Sequence, residues 1–236
     1  TVTTNGVLLT KEIAEYLNRE MYNIVLSLDG RPDINDHMRV TANGKGSAYG
    51  LVVDKMLELA AARGDKQYYV RGTYTRDNLD FAQDVIHLAN LGFKNISVEP
   101  VVADPEEPYS LREEDLPVLL EQYDILTDAY LEAIHAGRPF NFFHFNLNLE
   151  SSPCLAKRVA GCGSGHEYLA VTPNGDIYPC HQFVGREQYR LGNVKTGIVR
   201  QDLVQAFKRA NVFSKSECGQ CWAQLFCSGG CHANNE

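Results

Sequence analysis

The sequence predicts an α/β fold: strands and helices in alternation, forming part of an open or partial barrel, with a small cysteine-rich unit after them. Two observations carry this. From Thr1 to about Val102, short β-rich runs alternate with helical stretches, which implies parallel strands joined by crossover helices. All seven cysteines then lie between Cys154 and Cys231, an abrupt shift in composition that marks a boundary near residues 137 to 153. The expected organisation is a barrel-like part over 1–136, a linker over 137–153 and a cysteine-rich domain over 154–236.

Val2 to Asn5, Asn23 to Leu28, Gln67 to Thr75 and Asn95 to Val102 are the predicted strands. Lys11 to Glu20, Ala48 to Arg63 and Asn78 to Leu91 carry apolar residues at helical spacing, with Gly64 and Gly92 where helix C-caps belong. Leu111 to Ala136 reads as a long helix. Ser110 and Glu113 fit a capping box, although Pro117 suggests that the regular run begins there. The aromatic run Phe140 to Phe145 is expected to pack at the domain junction, with His144 a packed histidine.

Each strand ends in polar or Gly-containing residues: Thr4-Asn5-Gly6, Ser27-Leu28-Asp29-Gly30, Gly72-Thr73-Tyr74-Thr75 and Glu99-Pro100. In parallel α/β folds the carboxyl ends of strands converge on one rim where ligands bind, so these tips form a candidate site. Any one of them alone is equally well explained as turn chemistry. The net charge of −8 argues against binding nucleic acid by phosphate neutralisation. No apolar run approaches the roughly 20 residues of a membrane span, and no secretion signal is visible, so a cytoplasmic location is expected. The chain begins at Thr1 and already reads as strand, which suggests a piece of a longer protein.

The cysteines carry the chemistry. Cys162-x12-Gly175-x4-Cys180 is followed by Cys218-x2-Cys221-x5-Cys227-x3-Cys231. Disulfides are disfavoured by the odd total and the missing secretion signal. Zinc knuckles use Cys-x2-Cys pairs and stay open as an explanation, whereas the wider spacings favour iron-sulfur ligation by thiolates on loops. Between Cys162 and Cys180, alternating apolar residues flank Asn174-Gly175, which predicts a hairpin with a type I′ turn. Such a hairpin would fold Cys180 back toward Cys162. His166, His181 and Gln182 are near these ligands in sequence and are either supporting or substrate-facing groups, or plain loop residues.

At these residues the sequence resembles the SPASM auxiliary-cluster domain of radical S-adenosylmethionine (SAM) enzymes. Upstream, Thr4-Asn5-Gly6, Ser27-Leu28-Asp29-Gly30 with Asp36 and Arg39, and Arg71-Gly72-Thr73-Tyr74-Thr75 are similar to the later strand ends of that family's partial (β/α)6 TIM-like barrel. Asn43-Gly44-Lys45-Gly46-Ser47, Gly161 to Tyr168 and Cys180 to Gly185 look most like maturases of cysteine-rich SCIFF peptides. The resemblance implies two auxiliary [4Fe-4S] clusters. Cys162, Cys180 and Cys231 would hold one, with Cys154 a candidate fourth ligand, and Cys218, Cys221 and Cys227 the other, with a cysteine from outside this chain. It also implies SAM at Asn5, Ser27, Asp29 and Arg39, where Arg39 either takes the SAM carboxylate or only pairs locally with Asp36.

The implied activity is that of a radical SAM oxidoreductase acting on a ribosomally synthesised precursor peptide, forming a cysteine thioether crosslink with a one-electron reductant as partner. The Cys-x3-Cys-x2-Cys that binds the family's SAM-cleaving cluster is not in this sequence. The chain alone is therefore expected to be inactive, its parent active. Competing readings are an anaerobic sulfatase maturase or other SPASM oxidase, and a noncatalytic module that binds zinc or a cluster.

Overall fold

Five strands, β1 (Val2–Thr4), β2 (Asn23–Ser27), β3 (Gln67–Tyr74), β4 (Asn95–Pro100) and β5 (Asn141–Phe142), form one parallel sheet in sequence order in a computed structural model of the chain. Residues 1–146 and 155–235 are described. The sheet belongs to the first of two compact units, Thr1–Leu147 and Asn148–Glu236.

Alternation along the strands decides which face is covered. Ile24 and Leu26 in β2, Tyr68, Val70 and Tyr74 in β3, and Ile96 and Val98 in β4 are buried, while Val25, Ser27, Tyr69, Arg71, Thr73 and Glu99 between them are not. The buried set packs with apolar residues of the crossover helices: Leu17 of α1 (Lys11–Glu20), Val52, Met56 and Leu59 of α3 (Ala48–Ala61), Phe81, Val85 and Leu88 of α4 (Phe81–Asn90), and Leu119 and Leu126 of α5 (Leu116–His135). A short α2 (Pro32–Met38) precedes α3. At the amino ends of the strands the buried Arg63 guanidinium donates to the carbonyls of Met21, Tyr22 and Gln67, tying the approaches to β2 and β3 together.

Three local expectations change. Ser110 does not cap the long helix: its hydroxyl donates to the Asp104 carbonyl, and Asp115 instead accepts from the Arg112 N–H at 2.9 Å before α5 starts at Leu116. Pro117 at the first turn is the stronger signal, because proline there gives up no helical hydrogen bond. Helix α2 was not expected, although Pro32 after Arg31 is the same start signal. The run Phe140 to Phe145 contains a fifth strand: Asn141 and Phe142 pair with Asn95 and Ile96, and Phe142 is fully buried in the first unit's core. Two residues of ladder inside an aromatic cluster leave no alternation to read.

In the second unit, α6 (Leu155–Ala160) is followed by an antiparallel meander of β6 (Ala170–Val171), β7 (Asp176–Tyr178), β8 (Gly192–Asn193) and β9 (Gly197–Ile198), then α7 (Gln201–Arg209) and α8 (Gln224–Cys227). The hairpin between β6 and β7 forms, but its turn is not type I′. Gly175 N–H bonds the Thr172 carbonyl at 2.8 Å and only Gly175, at φ +90°, is left-handed; Asn174 is not. Proline 173 explains this. Its fixed φ seats it at the first central position and pushes Asn174 to the second, giving a type I turn closed by a left-handed glycine.

Candidate functional site

In the first unit the site is built at the strand ends. A cleft of about 910 Å³ is lined by Asn5 after β1, Ser27 at the end of β2, and Arg39, Asn43 and Lys45 on the segment between α2 and α3. Three of the four residues assigned to SAM by resemblance thus border one space. Asp29 lies behind them, 4% exposed. Its carboxylate takes both arms of the Arg39 fork, Nε at 2.6 Å and Nη2 at 2.8 Å, and also the Thr73 N–H at 3.0 Å. The Asp29 N–H in turn donates to the side chain of Asn35, itself buried.

The local Asp36–Arg39 pair that the sequence left open as an alternative does not form; Arg39 pairs with Asp29. Asp36 faces the start of α3, accepting from the Tyr49 N–H at 2.7 Å and from Asn35. Burial works to raise its pKa, but hydrogen bonds from Ser47, Tyr49, Asn35 and Ala48 outweigh it and hold the carboxyl below its ordinary range. Helix α2 explains the swap: it turns Arg39 back toward the tip of β2, while Asp36 looks along the chain to α3. Arg31 fixes the other side of this tip, because its N–H and Nε both donate to Asp84, a fully buried carboxylate on α4. Thr73 was singled out by sequence reasoning, as part of the β3 tip, whereas Asn35 and Asp84 were not. Nothing in their spacing separates a residue that braces a site from an ordinary turn or helix residue.

His144 is a packed histidine, with Nδ1 2.8 Å from the Tyr123 hydroxyl and its ring against Phe142. Burial lowers its pKa, partly opposed by Glu99.

The second unit carries the thiols in two arrangements. Around the small core of Tyr178, Cys180, Phe183 and Phe207 gather the neighbours of three cysteines. Cys180 belongs to the core itself. Cys162 opens a loop in which the Gly163 carbonyl accepts from the N–H groups of His166, Glu167 and Tyr168, and Gly165 N–H reaches the Pro179 carbonyl at 3.0 Å. Gly165 lies so close to Phe207 that an added Cβ would meet it at 2.8 Å, and its φ is +82°. Cys231 is followed by His232, whose ring is 5.8 Å from that of Phe207. The segments of Cys162, Cys180 and Cys231 thus converge on one phenylalanine of α7.

Cys218 lies on a tight turn over Ser216–Gln220, Cys221 just after it and Cys227 at the end of α8, where the following Ser228 carbonyl approaches Gly161 beside Cys162. Backbone bonds from Cys221 to Cys218 and from Gln224 to Cys221 hold the turn. Cys154 lies outside the described residues.

None of the six described cysteines forms a disulfide. Among the described residues no three His, Cys, Asp or Glu side chains close around a point that could hold a single metal ion. The donor set itself fits an iron-sulfur cluster, since it consists of thiols presented by turns and short helices.

Residues 162–222 match the SPASM family, described as an iron-sulfur cluster-binding domain. The full length of the chain is 23% identical over 252 aligned positions to a cysteine-type anaerobic sulfatase-maturating enzyme of Clostridium novyi (strain NT), covering 100% of this chain and 64% of that protein. Residues 162–222 are thus a SPASM-type segment, and over its whole length the chain is similar to a sulfatase-maturating enzyme. A protein of Archaeoglobus fulgidus described only as uncharacterized is 29% identical over 98% of this chain and 56% of its own. The chain thus spans less than two thirds of the length of these relatives.

Solved structures agree in fold. Native anSMEcpe with bound AdoMet superposes with a TM-score of 0.71 at 22% identity, covering 98% of this chain and 65% of that one. Streptococcus suis SuiB bound to S-adenosylmethionine gives 0.61 at 22% identity, covering 98% and 55%. Among the described residues no helix of the chain is long and apolar enough to cross a membrane.

Proposed function

We propose that the parent of this chain is a radical SAM peptide maturase that forms a cysteine thioether crosslink in a ribosomally synthesised, cysteine-rich peptide. The observation that carries the reading is the presence in one chain of a cleft bordered by polar strand tips at the ends of parallel strands and a separate unit with two groups of thiols. The first unit is then the C-terminal part of a partial (β/α)6 barrel. Asn5, Ser27 and Arg39 face SAM in the cleft, with Asp29 fixing the Arg39 fork. Cys162, Cys180 and Cys231 hold one auxiliary [4Fe-4S] cluster, with Cys154 as the candidate fourth ligand, and Cys218, Cys221 and Cys227 hold the other. When bound, SAM supplies the radical that removes hydrogen, and auxiliary clusters supply acceptors for single electrons. The chain's own part is to hold these groups. The polar tips orient SAM through hydrogen bonds, and the loops around Phe207 fix the thiols. A one-electron reductant completes the system, and the chain by itself is expected to be inactive.

A related structure, native anSMEcpe with bound AdoMet and Kp18Cys peptide, contains a peptide, which supports a peptide partner here. The sulfatase-maturating relatives favour a second reading, in which the substrate is a sulfatase segment. Mass spectrometry of a cysteine-rich peptide incubated anaerobically with full-length enzyme, SAM and reductant decides. The thioether reading expects a loss of two hydrogens and one thiol that no longer alkylates. Hydrogen loss with every thiol free contradicts the crosslink. Modification of a sulfatase peptide and not of the cysteine-rich one supports the second reading.

A further inference from the structure

Ser164 stands two residues after Cys162 and is 1% exposed, yet its hydroxyl has no hydrogen-bond partner in the described structure. An orphaned buried hydroxyl of this kind is destabilising, so a folded protein keeps it where a further group completes the bond. The surroundings narrow what that group is. Gly163, before Ser164, accepts three N–H groups through its carbonyl, and Gly165, after it, donates to the carbonyl of Pro179, the residue preceding Cys180. Ser164 is thereby pinned between the chain segments of two thiols, and Phe207, on which those segments converge, packs on the adjoining Gly165. None of the carbonyls that fill this loop takes the hydroxyl. A serine O–H can donate to sulfur, and a sulfur-bound cluster is the acceptor that this donor set fits.

We infer that Ser164 donates a hydrogen bond to a sulfur of the cluster held by Cys162 and Cys180, and so sets that cluster's reduction potential. The inference rests on the cluster assignment proposed above. A hydrogen bond to cluster sulfur stabilises the more negative, reduced form, so it raises the potential; its removal lowers it. Ser164 acts as a tuning residue and is not a ligand.

The test uses full-length protein, reconstituted anaerobically, with the SAM-cluster cysteines replaced so that only auxiliary clusters remain. Iron and sulfide are counted, and the clusters are titrated potentiometrically with detection by electron paramagnetic resonance. Ser164→Ala should retain iron and show one cluster shifted to lower potential. The expected size is about a tenfold fall in the ratio of reduced to oxidised cluster at a fixed potential, or about 59 mV for one electron. Ser164→Thr, which keeps the hydroxyl, should restore most of it. Iron retained in Ser164→Ala with every potential unchanged overturns the inference. So does loss of the cluster in Ser164→Ala, with or without loss in Ser164→Thr, because a tuning residue is not needed to hold iron. Absence of iron from the unsubstituted protein would overturn the cluster assignment itself, a result distinct from the others.

Discussion

Arg39 serves two masters at the tip of β2: its fork is on the buried Asp29 carboxylate, and its side chain borders the cleft. A planar guanidinium can brace one carboxylate and still present a charged edge to an anionic group nearby. Replacing Arg39 with Ala leaves Asp29 with the Thr73 N–H and should destabilise the folded protein by about 2 kcal/mol. On the proposed reading it should also weaken SAM binding about tenfold in the full-length enzyme, the worth of one charge-assisted hydrogen bond, as measured by calorimetric titration. Lost stability with unchanged SAM affinity would make Arg39 a brace only. His87 and His144 predict a pH dependence. Burial lowers both; Asp84 and Asp33 pull His87 back up while Arg31 adds to the lowering, and Glu99 pulls His144 up. As pH falls through the ordinary histidine value of about 6.5, the unfolded chain takes up these protons before the folded one. Their stabilisation is therefore complete above that value and is lost as pH falls toward the depressed folded values. Denaturant midpoints should drop on acidification from pH 7.5 to 5.5, and less so in His144→Gln.

At the scale of elements, the Arg63 clamp and the β6–β7 turn separate fold from chemistry. Arg63→Ala strips charged donors from the carbonyls of Met21, Tyr22 and Gln67 and should cost about 3 kcal/mol in a denaturant titration, while SAM affinity at the opposite strand ends stays unchanged. Gly175→Ala forces a side chain into a left-handed position against Val194, at 2.8 Å from an added Cβ, and should cost about 1–2 kcal/mol. Strands β2, β3 and β4 and three crossover helices were legible because alternation and helical spacing record which face is buried, and the short β1 was legible from its β-branched residues. The fifth strand was not, since Asn141 and Phe142 are too few to alternate. The hairpin was legible from its apolar flanks, but its turn type depended on Pro173 rather than on the Asn174-Gly175 pair alone. At the candidate site, the strand tips and cysteines announce themselves by residue type. Asn35, Asp84, Ser164 and Phe207 do not, because what distinguishes them is burial beside a chosen neighbour, and that is a property of tertiary packing.

On the scale of the whole molecule, the second unit holds its thiols in two groups linked by a short strap and by packing of Arg158 on Phe226 and of Gly161 against the Ser228 carbonyl. Cys162, Cys180 and Cys231 have their segments around Phe207; Cys218, Cys221 and Cys227 lie on the 216–227 segment. The strap is Ser228-Gly229-Gly230, three consecutive residues at positive φ. Its Gly229 carbonyl accepts from Lys215 Nζ at 2.6 Å and Asn235 Nδ2 at 3.0 Å, so it is fixed from both sides by bonds that involve no cysteine. Each thiol group should therefore keep its geometry when the other loses its metal. In full-length protein reconstituted with iron and sulfide, serine at Cys218, Cys221 and Cys227 together should remove about half of the auxiliary iron and leave one cluster spectrum intact; serine at Cys162, Cys180 and Cys231 should remove the other half. Loss of all iron from either triple variant would mean that the two groups fold as one. Zinc in place of iron at either site would return that site to the knuckle chemistry that the Cys218-x2-Cys221 spacing also allows.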